Sequence, residues 1–243
     1  MQTKTRGIVL TETSYSETSK ILNILTEDYG LIGVISKGCK NIKNKLRGVS
    51  NKMNYCEYTI NYKEKGLSTL IEGSNLSSFK NIYIDMKKAM YAFYLIDLVS
   101  QVLKENNNKE IFNLLVPALI KINDGLSPEL ISNIVEIKLL DYLGVSLELD
   151  NCVLCGSNDG LITIDLTSGG VICKNCYTEG YVMNDKALHL MSLLKKVKLD
   201  KLETLEITDD EIFKEIDKFI YEYYSSYTGI YLKKKDNLLL KWK

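Results

Sequence analysis

Two close pairs of cysteines lie in the third quarter of the chain. Residues 151–176 read NCVLCGSNDGLITIDLTSGGVICKNC, which is a C-x2-C-x17-C-x2-C spacing. Each short pair lets a backbone turn present two thiolates to one tetrahedral ion, and the segment between the pairs is long enough for a β-hairpin that joins them. This spacing predicts a four-cysteine zinc finger over residues 151–182. Its ligands are Cys152, Cys155, Cys173 and Cys176.

A cage of four thiolates favours a structural role for the metal. A catalytic zinc keeps one coordination position open for water, whereas four thiolates fill the tetrahedron. The single histidine, His189, is followed by Leu190 and Met191, so the His-x-Glu motif of zinc deaminases is absent. We expect His189 to be a half-buried packing residue of an amphipathic helix. The sequence therefore predicts one structural zinc ion per chain and no catalytic residues.

Hydropathy and cysteine usage indicate the compartment. The first residues, MQTKTRGIVL, lack the apolar region of a signal peptide, and no stretch of the chain is apolar for long enough to span a membrane. We therefore expect a cytoplasmic protein with no membrane partner. Thiols stay reduced there, which favours metal binding over disulfides for the paired cysteines. The isolated Cys39 and Cys56 are expected to be small, half-buried residues.

The first 78 residues have the pattern of a small β-barrel. Five short runs show period-two alternation, β-branched residues and glycine turns. These runs are residues 5–12, 20–26, 31–36, 55–62 and 67–73. Five antiparallel strands in so short a segment indicate a closed barrel, for which an OB-type fold is one solution. The alternation alone does not choose between an OB-type and an SH3-like barrel.

From residue 80 the apolar period changes to about 3.6 residues, which indicates packed helices on both sides of the cysteines. One helix is predicted to begin after the N-cap Ser127 and to end at Gly144. The last helix is predicted to begin with a capping box of Thr208 and Glu211. The fold class is thus an α+β multidomain protein. Its predicted parts are a barrel (1–78), a first helical part (79–150), the zinc finger (151–182) and a second helical part (183–243).

The zero net charge of the chain conceals a separation of charge along the sequence. Residues 29–56 contain six basic side chains and no Asp or Glu, whereas residues 200–217 contain eight acids and two lysines. The basic run has few strong apolar residues, so we expect a loop between two barrel strands that contacts nucleic-acid phosphates. The competing interpretation is a solvated loop that only keeps the protein soluble. The basic candidates for DNA binding are Lys37, Lys40, Lys43, Lys45, Arg47 and Lys52.

Three tyrosines follow the basic run. One face of the predicted strand, which we assign to the core, carries Cys56, Tyr58, Ile60 and Tyr62. This assignment leaves Tyr55 as the exposed ring on which a DNA base would stack. Lysines 233–235 are a second, weaker candidate for phosphate contacts.

The order of these parts resembles the RecO family of DNA-repair and recombination-mediator proteins over nearly the whole chain. The matching blocks are GIVL, YSETSKILNILTEDYGLIGVISKG, IFNLLVPALIKI, EIKLLDYLGVSLELDNCVLCG and SGGVICKNC, of which the last two are the most specific. The resemblance implies an OB barrel, a helical domain with a four-cysteine zinc finger, and a non-catalytic protein. Such a protein binds single- and double-stranded DNA and anneals complementary strands.

The resemblance also implies partners and a location. These are RecR and the C-terminal tail of single-stranded DNA-binding protein, with which the family loads the RecA recombinase, on the nucleoid in the cytoplasm. Carried over by position, the zinc ligands are the four paired cysteines, and the DNA surface includes the basic loop. This chain departs from the family, whose members commonly have an arginine-rich run there, because its loop contains mostly lysine. Lysine binds phosphates but lacks the planar bidentate reach of arginine.

Two other classes of function remain open on the residues alone. One is a zinc-ribbon transcription or chromatin adaptor, which would bind a protein partner without annealing DNA strands. The other is a metal-dependent nucleic-acid enzyme. That enzyme would need a second metal site, for which the sequence offers no carboxylate cluster.

Overall fold

The computed structural model describes residues 1–204 and 209–235 of the 243-residue chain. The chain divides into two compact units, Met1–Asp124 and Gly125–Lys243. The predicted fold class is confirmed, because an N-terminal five-stranded barrel is followed by helices and by a hairpin that carries four clustered cysteines.

The barrel occupies most of the first unit. Its strands are β1 (Gln2–Ser14), β2 (Lys20–Thr26), β3 (Gly30–Ser36), β4 (Tyr55–Asn61) and β5 (Ser68–Ser77). They close in the order β1-β2-β3-β5-β4, with β1 paired to both β2 and β4. This is a five-stranded barrel of OB type, so the choice that the alternation left open is settled by the strand order.

One pair of neighbouring strands is parallel. Val34 pairs with Ser68 and Ile35 with Thr69 between β3 and β5, so the expectation of five antiparallel strands is wrong. The reason is geometric, because strand direction cannot alternate all the way round a closed ring with an odd number of strands. The short parallel pairing is the one that closes the barrel.

The barrel interior is filled by the alternating apolar residues of its strands. Both isolated cysteines belong to this core and are more buried than expected, with 2% of Cys39 and none of Cys56 exposed. Burial raises the pKa of the Cys56 thiol. The other members include Val9, Leu22, Ile24, Val34, Tyr58, Ile60 and Leu70.

Three helices complete the first unit. They are α1 (Lys80–Ile84), α2 (Met86–Glu105) and α3 (Phe112–Asp124). Asp85 separates the first two because its backbone is extended and its carboxylate caps α2 by accepting from the backbone N–H of Lys88. The apolar residues of α2 from Met90 to Leu103 are largely buried.

The second unit consists of helices and one hairpin. Its elements are α4 (Pro128–Tyr142), β6 (Leu161–Asp165), β7 (Gly170–Cys173), α5 (Asp185–Lys196) and α6 (Asp210–Tyr227). The predicted ends of α4 are confirmed, since the Ser127 hydroxyl accepts from the backbone N–H of Leu130 and Gly144 adopts a left-handed φ of 75°. In α6 the N-cap is Asp209, and the predicted capping residue Thr208 lies outside the described residues.

The helices before and after the cysteines pack together, as expected from the sequence. The Tyr224 hydroxyl of α6 donates to the carbonyl of Glu136 in α4 at 2.7 Å, and the Lys138 ammonium donates to the carbonyl of Lys195 in α5 at 2.6 Å. These contacts hold α5 and α6 on α4, with the cysteine hairpin inserted between α4 and α5. Among the described residues, no helix combines the length and apolar character that a membrane span requires.

Candidate metal centre and nucleic-acid interface

The four cysteines are presented by two turns and the hairpin between them. The first turn runs from Cys152 to Cys155, and the backbone N–H of Gly156 donates to the carbonyl of Cys152 at 2.8 Å. The second turn begins at Cys173, the last residue of β7, where the N–H of Cys176 donates to the Cys173 carbonyl at 3.0 Å. Gly156 has a φ of 75°, which suits glycine at the end of the first turn.

The positions of the sulfur atoms fit a single tetrahedral ion. All four Sγ atoms lie within 4.8 Å of one another, and the Sγ atoms of Cys155 and Cys173 are 3.6 Å apart. A tetrahedron with zinc–sulfur bonds of about 2.3 Å has sulfur–sulfur edges of about 3.8 Å. The predicted ligands are therefore brought together, and an all-thiol donor set suits zinc better than magnesium or calcium.

Local hydrogen bonds already favour one thiolate. The backbone N–H of Cys173 donates to the Cys152 sulfur at 3.4 Å, and this contact is the main reason that the pKa of Cys152 is lowered to about 6. Hydrogen bonding with the thiols of Cys155 and Cys173 instead raises the pKa of Cys176 to about 12. Four adjacent thiolates repel one another without a cation, so a divalent ion is what would let all four ionise together.

The basic loop, residues 37–52, lies between β3 and β4, as predicted. It is fixed on the barrel by its own apolar side chains, because Cys39, Leu46 and Val49 belong to the barrel core. The buried Tyr58 hydroxyl donates to the carbonyl of Val49 at 2.9 Å. The hydroxyls of Ser36 and Ser50 are hydrogen-bonded at 2.8 Å across the two ends of the loop. Only some residues of the loop are therefore exposed to solvent. The core packing and these hydrogen bonds fix the backbone of the loop on the barrel.

The six basic candidates fall into two groups. The cations that project into solvent are Lys37, Lys43, Lys45 and Arg47. Lys40 and Lys52 are half-buried and hold the loop in place. The Lys40 ammonium donates to the carbonyl of Ser16 at 2.7 Å, and the Lys52 ammonium pairs with Asp97 at 2.9 Å. Because Asp97 matches the charge of Lys52, the exposed positive charge of the loop lies mainly on the other four cations.

The prediction that Tyr55 is an exposed stacking ring is wrong. Its side chain is 9% exposed, and its ring packs at a tilt against Phe112 with the centroids 6.1 Å apart. The register shift between β4 and β5 leaves the extra residue, Leu76, on β5, so β4 keeps its in-and-out alternation. Cys56 faces the barrel core, whereas Tyr55 lies on the opposite face of β4, where Phe112 covers it. The rest of the assignment is confirmed for Cys56, Tyr58 and Ile60, which are fully buried, whereas Tyr62 is half-buried and packs against the core.

Two further expectations are corrected in the second unit. His189 is an exposed residue of α5 and not a half-buried one.

Lys235 is 9% exposed and pairs with Glu136 and Asp217, each at 2.7 Å, so it is not a phosphate contact. The Lys234 ammonium lies 4.8 Å from the centroid of the Tyr221 ring. Lys234 and Lys235 therefore both contact residues of the second unit.

Comparison with known proteins covers both halves of the chain. The family model described as "Recombination protein O N terminal" matches residues 1–79, and "Recombination protein O C terminal" matches residues 84–236. The chain is 33% identical over 239 residues to the DNA repair protein RecO of Bacillus pumilus, with 97% of this chain and 93% of the relative covered. The protein of that name from Bacillus subtilis is also 33% identical over 239 residues, with the same coverage.

A third relative extends the match. The DNA repair protein RecO of Listeria monocytogenes serotype 4b is 31% identical over 245 residues, with 98% of this chain and 95% of the relative covered. The first family model ends two residues after β5, and the second begins at residue 84 and includes the whole cysteine hairpin. On these matches, over nearly its full length, the chain belongs to the RecO family of DNA-repair proteins.

Proposed function

We propose that this protein is a non-catalytic DNA-binding recombination mediator that anneals complementary strands. The observation that carries the proposal is the basic loop, in which four exposed cations stand on an acid-free segment fixed to an OB-type barrel. A loop of this kind binds phosphates without reading sequence. Two strands held on such a surface repel each other less, and no covalent bond has to be broken for them to pair.

The metal centre has a structural part in this proposal. Four thiolates on a tetrahedral zinc ion leave no coordination position for water or substrate, so the ion would hold the two turns together and supply no catalysis. Cys152 and Cys173 are buried, which suits a centre that organises the hairpin. A cytoplasmic, nucleoid-associated location goes with this proposal, because thiolate ligands need a reducing compartment.

The partners proposed are those of a mediator. The protein would act with RecR and with single-stranded DNA-binding protein to load RecA onto coated DNA. Membership of the RecO family supports this set of partners. The acidic C-terminal tail of single-stranded DNA-binding protein would need a basic surface, for which α2 offers the exposed lysines Lys87 and Lys104.

A cleft in the second unit is a poor match for that tail. It has a volume of about 1060 Å³ and lies between the metal hairpin and α6. Its carboxylates outnumber its ammonium groups, and an acidic peptide would be repelled there. The carboxylates are Asp165, Glu179, Glu211, Glu215 and Glu222, and the lysines are Lys214 and Lys218. The tail proposal therefore rests on the helices of the first unit.

Strand annealing tests the proposed function directly. Two complementary oligonucleotides, one with a fluorophore and one with a quencher, are mixed with and without coating by single-stranded DNA-binding protein. We expect the protein to accelerate quenching and the triple variant Lys43→Ala/Lys45→Ala/Arg47→Ala to lose most of that acceleration. The variant Lys63→Ala/Lys65→Ala, which removes two lysines outside the loop, is the matched control. No acceleration by the wild-type protein would overturn the proposal.

Calorimetry tests the tail proposal separately. A synthetic peptide with the acidic, apolar-ended sequence of the tail is titrated into the full-length protein. We expect binding with a Kd on the order of tens of micromolar or tighter, weakened by Lys87→Ala/Lys104→Ala and unchanged by the triple loop variant. An absence of heat at those concentrations, with annealing intact, would remove the tail from the list of partners.

A further inference from the structure

Two large apolar side chains are exposed at the basic loop and beside it. Ile42 is 84% exposed and Tyr15 is 59% exposed, although most apolar residues of this unit are buried in the core. Ile42 lies within the loop between Lys40 and Lys43. Tyr15 lies in the turn between β1 and β2, residues 15–19. Neither side chain belongs to the barrel core, so the fold does not account for them.

The turn that carries Tyr15 is hydrogen-bonded to the start of the basic loop. The backbone N–H of Lys40 donates to the carbonyl of Thr18 at 2.9 Å, and the Lys40 ammonium donates to the carbonyl of Ser16 at 2.7 Å. The N–H of Gly38 donates to the Ser19 hydroxyl at 3.2 Å. Turn and loop therefore form one continuous surface, in which Tyr15 is next in the chain to the residue that binds the Lys40 ammonium.

Ile42 is held at the apex of tight backbone turns. The N–H of Asn41 donates to the carbonyl of Gly38 at 3.0 Å, and the N–H of Asn44 donates to the carbonyl of Asn41 at 3.1 Å. The Asn44 side chain accepts from the N–H of Leu46 at 2.8 Å, and Leu46 is anchored in the core. These contacts fix the backbone on both sides of Ile42 and leave its side chain in solvent among the exposed cations.

We propose that Tyr15 and Ile42 contact the bases of a single strand whose phosphates lie on the basic loop. Tyr15 stacks on one base, and Ile42 packs against the face of another. The proposal rests on the proposed DNA binding by the loop. Its ligand is single-stranded nucleic acid, because the charge of the loop selects phosphates and only unpaired bases offer their faces to apolar side chains.

The turn itself adds apolar contact and no positive charge. Its only ionisable groups are the Tyr15 phenol and the exposed carboxylate of Glu17. Loss of the Tyr15 ring should therefore weaken binding without changing its dependence on salt, whereas loss of loop cations changes both. This difference separates base contact from phosphate contact in one experiment.

The experiment compares a thymidine oligonucleotide with an abasic phosphodiester of the same length and label. Both strands carry the same phosphates, so only base contact distinguishes them. We expect the wild-type protein to bind the thymidine strand at least about fivefold more tightly, since stacking on an aromatic ring typically contributes that much per base. Tyr15→Ala should remove most of the preference and keep the salt slope, and Tyr15→Phe should retain the preference. Ile42→Ala should reduce it in part.

The control for the isoleucine is Ile84→Ala, because Ile84 is 83% exposed in the same unit but lies at the end of α1. Equal binding of both strands by the wild-type protein, or an undiminished preference in Tyr15→Ala, would overturn the inference and leave phosphate binding by the loop intact. A triple variant Lys43→Ala/Lys45→Ala/Arg47→Ala that binds both strands as the wild type does would overturn the loop site and this inference together.

Discussion

The ammonium of Lys235 donates to the carboxylate of Glu136 at 2.7 Å, and neither side chain is appreciably exposed. The Asp217 carboxylate accepts from the same ammonium at 2.7 Å and also from the side-chain amide of Asn133 at 2.8 Å. Burial lowers the pKa of Lys235, but the two carboxylates more than offset this, so the pKa is raised above that of an ordinary lysine. This cluster holds the segment after α6 on α4 and α6.

Loss of the cation should cost the second unit much of its stability. Lys235→Met leaves the buried Glu136 carboxylate without its ammonium partner, and breaking a buried pair in this way typically costs about 3–5 kcal/mol. The double variant Glu136→Gln/Lys235→Met should recover part of that loss, because it removes the buried charge as well. Urea denaturation followed by circular dichroism measures both. Equal stability of Lys235→Met and the wild type would show that the pair makes no net contribution.

Metal content should be one zinc ion per chain. The free energy of closing a four-thiolate site is on the order of 10 kcal/mol, comparable with the stability of a whole domain. Cys173→Ser should therefore abolish stoichiometric zinc and unfold the hairpin, as judged by mass spectrometry of metal content and by proteolysis. Cys39→Ala is the control, since this buried cysteine lies in the barrel and should leave the zinc content at one. Zinc-free reduced protein, prepared without chelator, would contradict the assignment.

The DNA-binding constant should fall with increasing salt concentration as expected for four phosphate contacts. The slope of log K against log salt should be about −3 for single strands and about −3.6 for duplex, since each contact contributes about 0.7 to 0.9. The variant Lys43→Ala/Lys45→Ala/Arg47→Ala should lower the magnitude of the single-strand slope by about 2 and weaken all sequences alike. Lys52→Ala should change the slope little, because Asp97 already pairs with this lysine. An unchanged slope in the triple variant would move the DNA site away from the loop.

Gly170 in β7 should not tolerate a side chain. A Cβ atom there would lie 2.6 Å from the carbonyl oxygen of Glu148 and 2.5 Å from Cγ1 of Val153, and the backbone atom cannot give way. Gly170→Ala should therefore destabilise the second unit by about 1–3 kcal/mol, the usual cost of overpacking. Gly48→Ala is the matched control, because a Cβ at Gly48 meets nothing within 4 Å. Thermal unfolding of the two variants, each compared with the wild type, measures the difference.

The features predicted correctly are those with a local signal. The bounds of β2, residues 20–26, follow from a short apolar run that ends at a glycine turn, and the metal centre follows from the spacing of four cysteines. The N-cap of α4 is likewise indicated by one serine before a proline. Each of these signals lies within a short stretch of the chain, so tertiary packing has little opportunity to override it.

The features that the sequence did not indicate mostly depend on contacts between distant residues. Lys52 pairs with a carboxylate 45 residues away, and Lys235 with one 99 residues away, and nothing near either lysine in the sequence indicates those partners. Alternation correctly places Tyr55 on the outer face of β4, but Phe112 of α3, far away in the sequence, covers that face. The exposure of Tyr15 does have a local signal, because Tyr15 lies in a run of serine, threonine and glutamate that is typical of a turn.

The parallel pairing that closes the barrel also determines where the barrel opens. Only two residue pairs join β3 to β5, whereas each antiparallel neighbour is joined along most of its length. Amide protons beside this seam should thus exchange with solvent through small local openings, well before the rest of the barrel unfolds. The basic loop leaves β3 directly after the seam, at Ser36. Local opening of the seam would shift the base of the loop relative to the barrel, and the cations that we propose to bind phosphates would move with it to follow strands of different geometry.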